Sequence, residues 1–215
     1  MRVVPVLPRC VPLDEVEVSV ENSVRPPMTS VAAVSATLGM GLVIMALEIS
    51  AKRKDAVQPE EARRLIAEAH EVMERLGADA DEDIRAFRAY MEALKLPKAT
   101  DEEKDSRKGA LQTASRRATE APLVAARHMV EALRLAGRAL PLTHLHVVSD
   151  IGAGTGLLEG ALKAVLFNVD VNLPSLADAE MKARLAGERV AMGADGTVLA
   201  SGVLDGVAGR LSGRA

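Results

Sequence analysis

Between Leu65 and Leu94 the apolar residues Leu65, Ala69, Val72, Leu76, Ala80, Ile84, Phe87, Met91 and Leu94 recur at steps of three and four. That rhythm places them on one side of a helix of about eight turns. A helix so long hides its stripe by packing against other helices. The residues available to fill such a core are Ala, Leu, Val, Met and Gly, because the chain has two Phe, one Tyr and no Trp. Ala and Leu lead the helix-propensity scale, and small side chains let helices approach closely. These features predict an all-α protein: an elongated up-and-down bundle of five to seven helices.

Punctuation residues set the expected boundaries. A first helix is predicted from Ser30 to Lys54, with Thr29 or Ser30 as N-cap and Lys52-Arg53-Lys54 at the end where cations complement the helix dipole. Pro59 with Glu60-Glu61 opens the second helix, and Leu96-Pro97 closes it. Thr100 and Glu103 form a capping box for a third helix running to Leu140, which Pro122 is expected to kink or split. A fourth helix is predicted to start between His144 and Asp150 and to run to Asn172, with Gly152, Gly154, Gly156 and Gly160 along it. Ser175 is placed to cap a fifth over Leu176–Met192. Gly193-Ala194-Asp195-Gly196 reads as a turn before a last helix, Val198–Leu211. Residues 25–211 form one predicted domain after an arm of residues 1–24, in which Val16–Val20 alternates like a short strand or extended segment.

Several function classes are disfavoured. The net charge is −3 and stacking aromatics are lacking, so nucleic acid is not expected as a partner. The single Cys10 excludes an internal disulfide and suits a reducing, cytoplasmic compartment. Residues 1–23 do not resemble a signal peptide, since Pro5 and Pro8 interrupt the apolar run and acidic residues follow. Residues 26–47 carry no charge over 22 positions, about enough to cross a bilayer, yet their Pro, Ser, Thr and Gly content points to a buried core helix. No membrane association is expected. His144 and His146 lie two apart, which splits helix faces, and His70 and His128 are isolated, so no metal is expected. Gly152-Ala153-Gly154-Thr155-Gly156 lacks the preceding strand of a nucleotide loop.

The informative residues are polar ones on apolar faces. Asp83 falls on, or at the edge of, the inward stripe of the second helix, where a carboxylate needs a partner or a raised pKa. Asp150, Asn168 and Asn172 would share a face of the fourth helix, as a polar seam or as a pocket wall.

These residues, with their neighbours, resemble the cyclodeaminase/cyclohydrolase family of folate enzymes over roughly Ser30 to Arg189. The resemblance is carried by Ser30-Val31-Ala32-Ala33-Val34-Ser35, the run Lys52-Arg53-Lys54, Asp83-Ile84-Arg85-Ala86-Phe87, and Leu96-Pro97-Lys98 followed by Thr100 to Lys104. Pro122, Ser149-Asp150 and Asn168-Val169-Asp170-Val171-Asn172 complete it. It implies a helical homodimer whose pocket takes a tetrahydrofolate derivative. It also implies one-carbon chemistry, either ring closure with loss of ammonia or ring opening by water. Asp83 and Asp150 become the catalytic candidates. Ser30, Lys52, Arg53, Lys54, Asn168 and Asn172 become the substrate-binding ones, with the basic trio holding the folate's glutamate tail by charge. Where the family carries a glycine-rich loop, this chain has Pro26-Pro27-Met28-Thr29-Ser30, and residues before Arg25 fall outside the resemblance. The alternative is a non-catalytic helical dimer of the same family that has lost folate binding.

Overall fold

A computed structural model describes residues 28–213 of the chain. Among them lie five α-helices: α1 Met28–Ala51, α2 Pro59–Lys95, α3 Asp101–Ala139, α4 Val148–Asn172 and α5 Ala179–Leu211. Short 3-10 turns occupy Leu140–Leu142, Leu145–Val147 and Leu173–Ser175. The all-α bundle expected from the periodicity is therefore present. The extended segment expected at Val16–Val20 lies outside the described residues.

The local signals explain most of the boundaries. Thr100 Oγ1 accepts from the Glu103 N–H at 3.2 Å, and the Glu103 carboxylate accepts from the Thr100 N–H at 3.1 Å, so both halves of the α3 capping box are made. Pro59 opens α2 behind Gln58, which adopts φ 46. Three expectations need correction. Helix α1 ends at Ala51, so Lys52, Arg53 and Lys54 stand in the following turn rather than on the helix. Asp178, not Ser175, caps α5 by accepting from the Met181 N–H at 3.0 Å. The turn expected at Gly193–Gly196 is absent, and α5 runs through it. The reason is packing, because a Cβ at Gly196 would overlap the Leu162 side chain of α4. Gly196 is there to admit Leu162, and tertiary contact overrides its weak helix propensity.

Pro122 neither splits nor ends α3. Proline has no N–H, so the Ala118 carbonyl one turn earlier loses its helical donor. The Asn172 side chain supplies one instead, Nδ2 to Ala118 O at 2.7 Å. A residue of α4 thus repairs the ladder of α3.

Helix α1 is central and packs on α2 and α4. It runs antiparallel to α4. Thr29 meets Asn168 at one end, Gly39 lies against Gly154 midway, and Ser50 Oγ accepts from the His144 N–H at the other. Helices α2 and α3 are antiparallel too, from Glu68–Arg138 through Glu82–Arg117 to Leu94–Arg107. The bundle therefore has two ends: a Ser30 end, holding Asp83, Leu94, Arg107 and Asn172, and an Asp150 end, holding Lys52 and His144.

The core stripe of α2 departs from its expected course. Leu65, Ala69, Val72 and Leu76 are buried as the spacing required, but Phe87, Met91 and Leu94 are exposed. The buried line continues instead through Asp79, Asp83, Ala86 and Ala93. That is a seven-residue repeat set between α1 and α3, the register that packed antiparallel helices keep.

Candidate active site

Two consecutive core positions of α2, Asp79 and Asp83, are thus carboxylates, exposed by only 8% and 5%. Each has its own partners. Asp83 faces the first turn of α1. It accepts from the Ser30 hydroxyl, Oγ to Oδ2 at 3.4 Å, and the Thr29 hydroxyl and Ser30 N–H lie near enough to favour its charged form. A carboxylate there answers the orphan N–H groups and the positive end of the helix dipole. Ser30 Oγ also lies 3.2 Å from the Ala80 carbonyl. Thr29 Oγ1 accepts from Asn168 Nδ2 at 2.7 Å, and Asn168 Oδ1 accepts from Asn172 Nδ2 at 3.4 Å. The neighbours Thr29 and Ser30 on α1 thus bring Asp83 of α2 beside a polar chain that runs through Asn168 and Asn172 on α4 to Ala118 on α3.

Burial pushes the Asp83 carboxyl above its ordinary value, and the bonds from Thr29 and Ser30 pull it only part of the way back. Desolvation disfavours the charged form, so this group takes up a proton more readily than a surface aspartate. It can give that proton to a leaving nitrogen or take one from water.

Asp79 and His128 form a second pair that sequence reasoning missed. Asp79 Oδ2 lies 2.8 Å from His128 Nδ1. The carboxylate fixes the ring and leaves Nε2 for a substrate or water. Asp79 precedes Asp83 by one turn on the same face, so the two groups are neighbours. The signal available in the sequence was the seven-residue repeat, which puts a second Asp on the core line. The partner on α3 is 49 residues away and carries no local mark.

The expected site residues separate into two groups. Ser30, Asp83, Asn168 and Asn172 come together. Asp150 does not join them. It stands in the first turn of α4, 18 residues and about 27 Å of helix from Asn168. A shared helix face is not a shared place, which corrects the expectation of one pocket wall. Lys52, Arg53 and Lys54 lie at that far end as well, just past Ala51, which is about 32 Å along α1 from Ser30. Arg53 pairs there with Asp55 at 2.8 Å and Lys52 with Glu48 at 3.3 Å. Among the described residues no three His, Cys, Asp or Glu side chains gather as metal ligands.

A family described as Formiminotransferase-cyclodeaminase matches residues 18–191. The chain belongs to this family. Formiminotransferase-cyclodeaminase likeness thus covers α1 to α4 and the start of α5, and it begins N-terminal to Arg25, where the resemblance was expected to stop. Formimidoyltransferase-cyclodeaminase of Gallus gallus is 37% identical over 165 residues, covering 75% of this chain and 30% of that protein. The chain therefore spans about a third of the length of that relative. Methenyltetrahydrofolate cyclohydrolase of Methylorubrum extorquens is 36% identical over 149 residues, covering 68% of this chain and 71% of that protein. The crystal structure of formiminotetrahydrofolate cyclodeaminase from Thermotoga maritima superposes with a TM-score of 0.82 at 20% identity, over 94% of this chain and 97% of that one. This last likeness shows a common fold.

Proposed function

We propose that this chain is a cytoplasmic, folate-dependent one-carbon enzyme that forms or opens 5,10-methenyltetrahydrofolate, and that it works as a homodimer. The observation that carries the reading is the buried Asp83 carboxyl, bonded to the Ser30 hydroxyl at the start of α1 in a chain whose relatives are named for these two reactions. In ring closure, N10 of the folate attacks the formimino carbon on N5, and ammonia departs. The leaving nitrogen needs a proton, which Asp83 in its acid form supplies. In ring opening, water adds to the methenyl carbon and Asp83 in its ionised form takes the water's proton; the carbon–N5 bond then breaks as that proton passes to N5 and the adduct's hydroxyl proton is released. Both routes pass through the same cation, which a nearby carboxylate stabilises. Asp150 lies too far along the bundle to act on that carbon within one protomer, so Asp83 carries the proton transfer and Asp79–His128 is the second candidate couple. Asn168, through its bond to Thr29, orders the first turn of α1 beside Asp83.

The homodimer is supported by the outward stripe of α1. Val31, Val34, Leu38, Met45 and Ile49 are exposed along a helix with no charge from residue 28 to residue 47. Leu42 and Leu157 flank the Gly39–Gly154 crossing, which continues this surface onto α4. The single Cys10 suits the cytoplasm.

Calorimetric titration with 5-formyltetrahydrofolate tests the reading. Micromolar binding, with turnover followed by methenyl absorbance, is expected. No binding at millimolar ligand overturns it and leaves the non-catalytic dimer.

A further inference from the structure

The proline inside α3 has a consequence that runs through three helices to Asp83. The Ala118 carbonyl can only accept, and Pro122 has no N–H to give it. Asn172 must therefore turn its amide nitrogen, not its oxygen, toward Ala118, and Nδ2 stands 2.7 Å away. An amide nitrogen carries two N–H groups. The second is given to Asn168 Oδ1 at 3.4 Å. That fixes the Asn168 amide in turn: with its oxygen taken, it presents Nδ2 to Thr29 Oγ1 at 2.7 Å. A hydroxyl that accepts in this way still has its own proton to give. Thr29 is fully buried, and Asp83 is the carboxylate near enough to gain from that proton. Every step has one direction because the first acceptor has no proton of its own.

The charged groups around Asp83 do not supply this direction, because they are taken up by one another. Residues 28–47 of α1 carry no charge. On α2 and α3, Asp79 is paired with His128, and Glu82 with Arg85 and Arg117. On α4, Asp170 is paired with Arg189. Asn172 spends both of its side-chain N–H groups inside the protein, and Asn168 spends its oxygen and one N–H there. The two asparagines thus act inward, along the chain that ends beside Asp83.

We propose that Asn172 and Asn168 are positioning residues for Asp83: with Pro122 setting the direction, they commit the Thr29 proton to its carboxylate. With the chain intact, the Thr29 O–H is held toward Asp83 and favours the charged form. With the chain broken, the Asn168 amide is free to reverse, and Thr29 then donates to the Asn168 oxygen instead. Asp83 loses a donor and ionises at higher pH. The proton transfer that Asp83 performs on a folate rests on the proposed function, whereas the direction of the chain does not.

The test is a carbon-13 NMR titration of the Asp83 side-chain carboxyl in the full chain, with its resonance assigned by loss in Asp83→Asn. Thr29→Val removes the hydroxyl at nearly constant shape, and the midpoint is expected to rise by at least about half a pH unit, while Thr29→Ser keeps the wild-type value. Asn172→Leu, at a residue that bonds to neither Thr29 nor Asp83, is expected to shift the midpoint the same way by less. In a Thr29→Val background it should add nothing, since the chain acts only through that hydroxyl. Asn172→Leu also leaves the Ala118 carbonyl without its donor, so Pro122→Ala/Asn172→Leu is the second reading. There the helix supplies an N–H again, and stability is expected to return while the shift remains. A midpoint that Asn172→Leu leaves unmoved overturns the proposal. So does a shift that adds in full to that of Thr29→Val, or one that vanishes with the restored stability. The pH profile of kcat/KM, followed by methenyl absorbance, is expected to move with the titration. A titration that shifts as expected in a chain without folate binding or turnover supports the role of the asparagines and removes the folate reading alone.

Discussion

Asp83 is a residue whose environment works against its charge. Its carboxyl is raised by burial, so the fold favours the protonated form. The linkage has a definite sign. A raised pKa stabilises the native state at low pH, and that stability is lost as pH rises through the elevated value. At neutral pH an uncharged isostere should therefore hold the site better than the native acid. Asp83→Asn is expected to raise the melting temperature at pH 7 while lowering turnover at least about 100-fold. Thermal unfolding and methenyl absorbance check the two halves, and a less stable Asn variant would sink the assignment of desolvation as the dominant cause. Asn172 gives a second test at this scale. If it serves the Ala118 carbonyl that Pro122 leaves without a donor, Asn172→Ala should cost about 1 kcal/mol, the net loss of one partly buried hydrogen bond. The cost should shrink in a Pro122→Ala background, where the helix supplies its own donor, and denaturant unfolding of the four proteins closes that cycle. Asp83 was legible in the sequence because a carboxylate at a core spacing is visible by counting. Asn168 and Asn172 were legible as one face of a helix. The Asp79–His128 pair and the Asn172–Ala118 repair were not, because each joins helices far apart in sequence and only the packing brings them together.

At the scale of the elements, signals that act through the local backbone were readable and signals that act through a neighbour were not. The α3 capping box and the Pro59 start depend on a few adjacent residues, and both lie where the sequence put them. The turn expected at Gly193–Gly196 failed because glycine was read as a backbone breaker. Its use here is to make room for Leu162. Gly39 and Gly154 show the same use more sharply. A Cβ on Gly39 would sit 2.8 Å from the Gly154 carbonyl, and one on Gly154 would sit 2.6 Å from the Gly39 carbonyl. Two backbones meet there, so no side chain can swing away to relieve the contact. Gly39→Ala is therefore expected to destabilise by more than about 1 kcal/mol despite alanine's better helix propensity. Gly41, whose added Cβ meets nothing, should gain or stay level on the same change. Equal melting temperatures for the two variants would show that α1 and α4 are not so closely apposed. The crossing also fixes the register in which Thr29 reaches Asn168, so the strained variant should lose activity along with stability.

For the whole molecule, the outward face of α1 is the surface that sets its surroundings. By length and composition α1 and α5 both pass for membrane spans, with mean hydropathy 2.0 and 1.2. Hydropathy cannot separate a span from a helix pressed between protein surfaces, since both lack charge. For α1, position in the bundle separates them better. Over half of the α1 window is buried against α2 and α4, and the polar chain from Thr29 to Asn168 and Asn172 begins in its first turn. A lipid-facing helix would expose a wide apolar surface, whereas α1 exposes one narrow stripe, Val31, Val34, Leu38, Met45 and Ile49. A stripe like that suits a two-fold contact in which each copy offers the same surface to the other. Its midpoint is near Gly41, whose bare backbone allows a second helix to approach closely. Leu38→Asp puts a charge close to that midpoint, on a side chain 56% exposed in the single chain, so the fold of each protomer should tolerate it. The expected result is a wild type that sediments as a dimer in detergent-free buffer and a variant that sediments as a monomer with unchanged helical content. A wild type that needs detergent to stay in solution would instead put lipid on that face. A wild type monomeric at high concentration would leave the stripe uncovered and remove the dimer from the proposed function.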